Sequence, residues 1–184
     1  MKIRGDKSGQ VWVETVIYTL IALTIIGLFL SFAKPKVEEI QDKAIVEQSV
    51  GMLEDINSVI LSIVEGGAGN QRVLELGIKK GALIIESNKD QISFEMDGKY
   101  TYTEPGINGA QGPYITVGNV IATTKKIGKI NTVTLISNYS NIYNITYQNE
   151  DKTKVVSKSP APHRISILNR GEIGGINQID LSLI

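Results

Sequence analysis

The 184-residue sequence predicts an α+β protein: a long N-terminal helix containing a membrane segment, then an antiparallel β-rich globular head. Three observations carry this prediction. From Thr15 to Ala33 the chain runs 19 residues without a charge, 14 of them apolar. Apolar side chains then recur at helical spacing as far as Ile63, until Gly66-Gly67-Ala68-Gly69-Asn70 stops the pattern. From about residue 72 onward, apolar and polar residues alternate in short runs separated by Gly, Pro, Asn and Asp.

The uncharged run comes first. At the helical rise, 19 residues reach about 28 Å, close to the ~30 Å hydrocarbon thickness of a bilayer. The alternative is the buried core helix of a soluble protein. Thr15, Thr19, Thr24, Gly27 and Ser31 interrupt the apolar residues without breaking the helix, because hydroxyls can bond back to the preceding turn. Pro35 is placed to kink the helix as it leaves the bilayer. Val37, Ile40 and Ala44 then form one short stripe. Ile45, Met52, Leu53, Ile56, Val59, Ile60 and Ile63 form a broader one, with Glu47, Glu54 and Glu65 opposite. The two stripes differ by about 130° around the axis. The first is expected to face neighbouring chains and the second to pack on the chain's own head. The Gly-rich segment follows a helix, the reverse of the strand-to-helix order that a phosphate-binding loop needs.

In the head, Ile92, Phe94 and Met96 alternate with polar residues, and Asp97-Gly98 predicts a hairpin into Lys99–Thr103, where Tyr100 and Tyr102 alternate. Residues 104–113 are a Gly/Pro-rich loop. Further strands are expected over Tyr114–Ala122, Asn131–Ser137, Asn141–Gln148, Thr153–Ser157, Arg164–Leu168 and Ile176–Ile184, with a turn at Asn169-Arg170-Gly171. About nine short strands result.

Composition removes much chemistry. With no cysteine there is no disulfide, thiolate metal site or Cys nucleophile. The single histidine, His163, lies in a Pro-flanked loop away from any nucleophile motif, and no Walker A lysine, paired-His spacing or nucleophile elbow is present. Neither catalysis nor a cofactor is expected. The formal charge of zero argues against a nucleic-acid partner. That zero conceals a strong polarity: +2 over residues 1–9, Glu14 alone before the uncharged run, −4 over residues 34–65 and +3 over the rest. Lys and Arg number three on each side of the apolar run, so charge bias does not orient it.

Three processing readings of the N-terminus compete. Ser31-Phe32-Ala33 can be read as the small-x-small site of a secretory signal peptide, although the apolar stretch is longer than such peptides carry. The segment can instead be an uncleaved anchor. The third reading starts from Gly9 and the lone carboxylate of Glu14, five residues on, directly ahead of the apolar helix.

Lys7-Ser8-Gly9 followed by Gln10-x-x-x-Glu14 resembles the class III signal peptide, or prepilin leader, of archaeal type IV pilins. It departs from the family pattern at Ser8, Trp12 and Tyr18, and the likeness is most specific over residues 7–33. The resemblance implies a cut by a membrane prepilin peptidase between Gly9 and Gln10, removing a leader of residues 1–9. What remains is a helix over residues 10–65, whose segment 11–33 sits in the membrane before assembly and in a filament core afterwards, and a β-rich extracellular head over residues 70–184. It also implies the partners: further copies of the chain, the peptidase, an assembly ATPase and a membrane platform protein. Glu14 is then the assembly residue, pairing with the terminal ammonium of an adjacent subunit. The physics agrees: a carboxylate in a membrane helix costs on the order of 2.5–3.5 kcal/mol on insertion scales and calls for a partner or a route to water. Snorkelling of Glu14 to the headgroups is the plainer alternative, and cyclisation of a terminal Gln10 would remove the ammonium.

Two sequons, Asn138-Tyr139-Ser140 and Asn144-Ile145-Thr146, make Asn138 and Asn144 candidate glycosylation sites in a head displayed outside the cell. Tyr139, Tyr143 and Tyr147 share parity opposite the sequons, either as an adhesive row or as the packed face of a hairpin. The functional expectation is a structural subunit of a surface filament. The competing expectation is a single-pass anchored β-domain that binds a ligand without polymerising.

Overall fold

A computed structural model describes the backbone of residues 7–184 and the side chains from residue 11 onward. The predicted α+β architecture is present. One helix, α1 (Lys7–Glu65), precedes a head of ten strands. Contacts divide the chain into two units, one ending at Glu38 and one spanning Glu39–Ile184, so the last part of α1 belongs to the same compact unit as the head.

In the first unit α1 continues through Pro35, whose ring nitrogen leaves the Ser31 carbonyl without its usual donor. In the second, α1 buries Val46, Val50, Leu53, Ile56, Ile60 and Ile63 in the core of the head. Each contributes about 1.5–3 kcal/mol by leaving water. Leu53, Ile56, Ile60 and Ile63 come from the stripe expected to pack on the head, while Ile45, Met52 and Val59 flank it half-buried. Val37, Ile40 and Ala44, the other stripe, are exposed.

Strands β1 (Gln71–Leu76), β9 (His163–Ile173), β10 (Ile176–Leu183) and β7 (Tyr143–Tyr147) form one sheet in the order β1-β9-β10-β7. Its pairings are antiparallel except β10 with β7, which is parallel. The second sheet is antiparallel throughout, in the order β4-β5-β6-β3-β2-β8, from β2 (Ala82–Glu86), β3 (Gln91–Gly98), β4 (Ile115–Val117), β5 (Val120–Ile127), β6 (Ile130–Asn138) and β8 (Thr153–Ser157). Asp90 ties the sheets together. Its carbonyl accepts the Tyr139 N–H at 2.8 Å and its carboxylate the Ile145 N–H at 2.8 Å.

Three turn expectations are corrected. Asp97-Gly98 does not open a hairpin: both residues lie in β3, whose two edges are already occupied by β2 and β6. Residues 99–103 are irregular, and the Tyr102 and Thr103 N–H groups go to the Thr124 hydroxyl, each at 3.0 Å. Residues 114–122 are not one strand but the β4–β5 hairpin, turned by Gly118-Asn119 with Gly118 at φ +60°. Asn169-Arg170-Gly171 is a bulge inside β9 rather than a turn. The register with β10 slips there, Gly171 sits at φ +99°, and its N–H is held by the Asn169 side chain at 2.8 Å. The strand reverses later, at Gly174-Gly175.

Candidate functional site

The first candidate is the apolar run itself. Every side chain from Val11 to Phe32 is exposed, Trp12 at 71% and Phe32 at 76%, although 16 of these 22 residues are apolar. The segment is long and apolar enough to cross a membrane. A soluble fold would hide such a surface, since contiguous exposed apolar patches of this size mark contact with lipid or protein. Its hydroxyls are internally satisfied: Thr15, Thr19, Thr24 and Ser31 donate to the carbonyls of Val11, Thr15, Leu20 and Gly27 at 2.7–2.9 Å. These four hydroxyls therefore need no water. Glu14 is exposed on the same helix, one turn beyond Gln10. Leader residues 1–6 lie outside the described residues, and of residues 7–10, which include the expected cut at Gly9-Gln10, only the backbone is described.

The second candidate is where α1 meets the head. Asp42 is buried, 4% exposed, and accepts the Lys99 N–H at 2.7 Å and the Lys80 ammonium. Gly98 makes room for it: a Cβ there would lie 2.3 Å from Asp42 Oδ2. One signal could have found Asp42. Stepping back from Ile63 through Ile60, Ile56, Leu53, Ser49 and Val46, the buried stripe lands on it. A carboxylate in register with a core stripe needs a partner. The partners, 38 and 57 residues away, have no local signature.

A similar knot forms around Asp180, 6% exposed. It accepts the Arg170 guanidinium at 2.8 Å, the Thr146 hydroxyl at 2.9 Å and the Asn149 N–H at 2.6 Å. It joins parallel β7 to β10 at the β9 bulge.

The sequons separate. Asn138 is exposed, and its side-chain oxygen accepts the Ser140 N–H at 2.9 Å. Asn144 lies within β7 with its amide nitrogen engaged by Gln178, and its sequon threonine, Thr146, is the one bound to Asp180. Tyr139 and Tyr147 are buried and Tyr143 half-buried, so the tyrosine row packs inward, with the Tyr139 and Tyr143 ring centroids 6.1 Å apart. His163 opens β9 rather than lying in a loop, with Nε2 2.8 Å from the Ser157 carbonyl oxygen.

A groove of about 390 Å³ runs between α1 and the β1–β2 connection, past Ile45, Met52, Asp55, Glu75 and Lys79. Ser49 also lines it, its hydroxyl donating to the Ile45 carbonyl at 2.8 Å. Among the described residues, no group of three or more His, Asp or Glu side chains is placed to hold a metal. Comparison with family models, with curated proteins and with solved structures gives no match to this chain.

Proposed function

We propose that this chain is a structural subunit of a type IV pilus-like surface filament. A prepilin peptidase processes it between Gly9 and Gln10, and assembly runs through the apolar helix with Glu14 as the pairing residue. One observation carries the reading. Every side chain from Val11 to Phe32 is exposed on the same helix that, further along, fills the core of a β-rich head. The outward part suits lipid first and neighbouring helices later, and the inward part carries the head with it. In this scheme the +2 leader resists extraction of the helix from the bilayer, and its removal leaves a terminal ammonium as the partner of Glu14 in an adjacent copy. An assembly ATPase and a membrane platform protein drive the process, and the head becomes the displayed surface.

The mass of the mature N-terminal peptide tests the proposal. A chain beginning at Gln10, or at its cyclised form, supports it. Met1 assigns the protein to the non-polymerising anchored domains, and Lys34 to secreted ones. Given cleavage at Gln10, Glu14→Ala is expected to be processed normally yet yield few or no filaments by electron microscopy. Normal filaments would remove the role given to Glu14.

A further inference from the structure

The antiparallel six-stranded sheet has two ends of different charge. At one end lie the finish of β5, the start of β6, the finish of β3, the start of β2 and the finish of β8. That end carries Lys125, Lys126 and Lys129 around the β5–β6 hairpin, Lys99 after β3, Lys79 before β2 and Lys158 after β8. Acids at this end are Glu95 and Asp97 on β3, the latter already bonded by the Thr132 hydroxyl, Glu104 in the following loop, and Glu39 and Glu47 on α1 either side of Asp42, with Glu47 paired to Lys43. Asp42 is committed to Lys80 and the Lys99 N–H. The opposite end is mixed: Glu86 pairs with Lys89 and Glu150 with Lys152.

The basic end is also apolar at its tip. Ile127 is 61% exposed, Ile130 50% and Ile107 83%, and a Cβ on Gly109, next to Ile107 in that loop, would lie 3.7 Å from Ile127. Isoleucines so exposed among lysines have no role in the core of the head.

The position of α1 says what this end meets. Asp42 holds Lys99, the Lys99 ammonium reaches the Lys129 carbonyl at 3.4 Å, and the Asn131 amide donates to the Lys99 carbonyl at 2.9 Å. The lysine tip is therefore bonded, through Lys99, to the first buried turn of α1 in the head. Glu54, twelve residues on, has reached the β4–β5 turn at the opposite end, against Gly118. Nine residues separate Asp42 from Ala33, the last of the uncharged run, which is about 14 Å of helical rise and at most about 32 Å of extended chain. With no more chain than that between them, Asp42 can be no farther than about 32 Å from the end of the apolar run, so the end of the sheet bonded to Asp42 can reach a bilayer that holds the run.

We infer that the Lys/Ile tip of the β5–β6 hairpin, with Lys79, Lys99 and Lys158, is a surface that docks the head on anionic lipid headgroups while the helix is in the membrane. The lysines meet the phosphates, and Ile127 and Ile130 enter the headgroup boundary. The inference rests on membrane insertion of residues 11–33, not on polymerisation. The contact would hold the head down on the leaflet from which the helix emerges.

Since the chain has no cysteine, single-cysteine probes read the contact directly. The full chain, carrying an environment-sensitive fluorophore at Ile127→Cys or, as a control at the opposite end, Asn138→Cys, is reconstituted in bilayers containing headgroup-quencher lipid. In bilayers about one-third anionic, quenching at 127 is expected to exceed that at 138 about threefold. The excess should fall away in neutral bilayers, in about 1 M salt, where the screening length shrinks to ~3 Å, and in K125E/K126E/K129E. Equal quenching at the two sites overturns the inference and leaves the membrane reading intact. Failure of the chain to float with vesicles overturns both. A blue shift at 127 that grows with protein density without lipid quenching assigns the surface to a second copy, and also overturns it.

Discussion

Removing the Asp42 carboxylate tests how α1 is fastened to the head. Asp42→Ala deletes the acceptor of the Lys99 N–H and of the Lys80 ammonium. A hydrogen bond to a charged group is worth about 1.5–3 kcal/mol. The ion pair adds less, about 0.2–1 kcal/mol, because the Lys80 side chain is 40% exposed and screened by water. Alanine's higher helix propensity returns about 0.5 kcal/mol. The expected loss is then about 2 kcal/mol, which in a unit of about 150 residues lowers the melting temperature by about 4–8 °C. Thermal unfolding of the full chain in detergent, followed through the tyrosine signal, measures it. Gly98→Ala supplies the sharper test. Alone it forces a Cβ to within 2.3 Å of Asp42 Oδ2 and should destabilise by more than about 1 kcal/mol. In the Asp42→Ala background the nearest remaining atom is the flexible Lys80 ammonium at 3.3 Å, so the second substitution should cost almost nothing. Additivity of the two changes within about 0.5 kcal/mol would refute the account, because it would mean the two residues do not touch.

Other substitutions discriminate elsewhere. Asp180→Ala should destabilise by about 3 kcal/mol, since it strands Arg170, Thr146 and the Asn149 N–H together; urea unfolding reads this. Burial holds the Tyr139 phenol protonated well above its usual range, outweighing the opposing effect of the nearby Ser137 hydroxyl. Above about pH 10 the unfolded chain releases that proton and the folded chain does not, so stability falls by up to about 1.4 kcal/mol per pH unit. Tyr139→Phe should remove that share of the alkaline loss and be neutral or stabilising at pH 7, as urea midpoints at pH 7 and 11 will report. If the chain is glycosylated, occupancy should appear at Asn138 and not at Asn144, whose amide and sequon threonine are both engaged within the sheet; glycopeptide mass spectrometry distinguishes them.

Local pattern carried the order of elements well. The uncharged run, the helical stripe to Ile63, the Gly-rich stop and the strand at Thr153–Ser157 all stand as the sequence predicts. Turns fared worse, for a specific reason. Asp97-Gly98, Asn169-Arg170-Gly171 and Gly118-Asn119 all have turn chemistry, but glycine serves close approach and bulges as well as reversal. Gly98 admits a carboxylate, Gly171 bends β9, and only Gly118 turns the chain. Which use applies depends on what lies across the strand. The charged clusters were equally hidden, since the lysines at the basic end are scattered from Lys79 to Lys158 in the sequence.

By itself, then, the sequence determined that an apolar helix precedes a β-rich head, and that a Gly-rich stop separates them, because helical and strand periodicity are properties of neighbouring residues. Tertiary structure alone decided that β7 joins β10 in parallel, that Asp42 is buried, and that the lysines gather at the end of the sheet bonded to α1. Those facts depend on pairings between residues tens of positions apart, whose register is settled by burying the two sheets and one helix face together. No single segment carries that information.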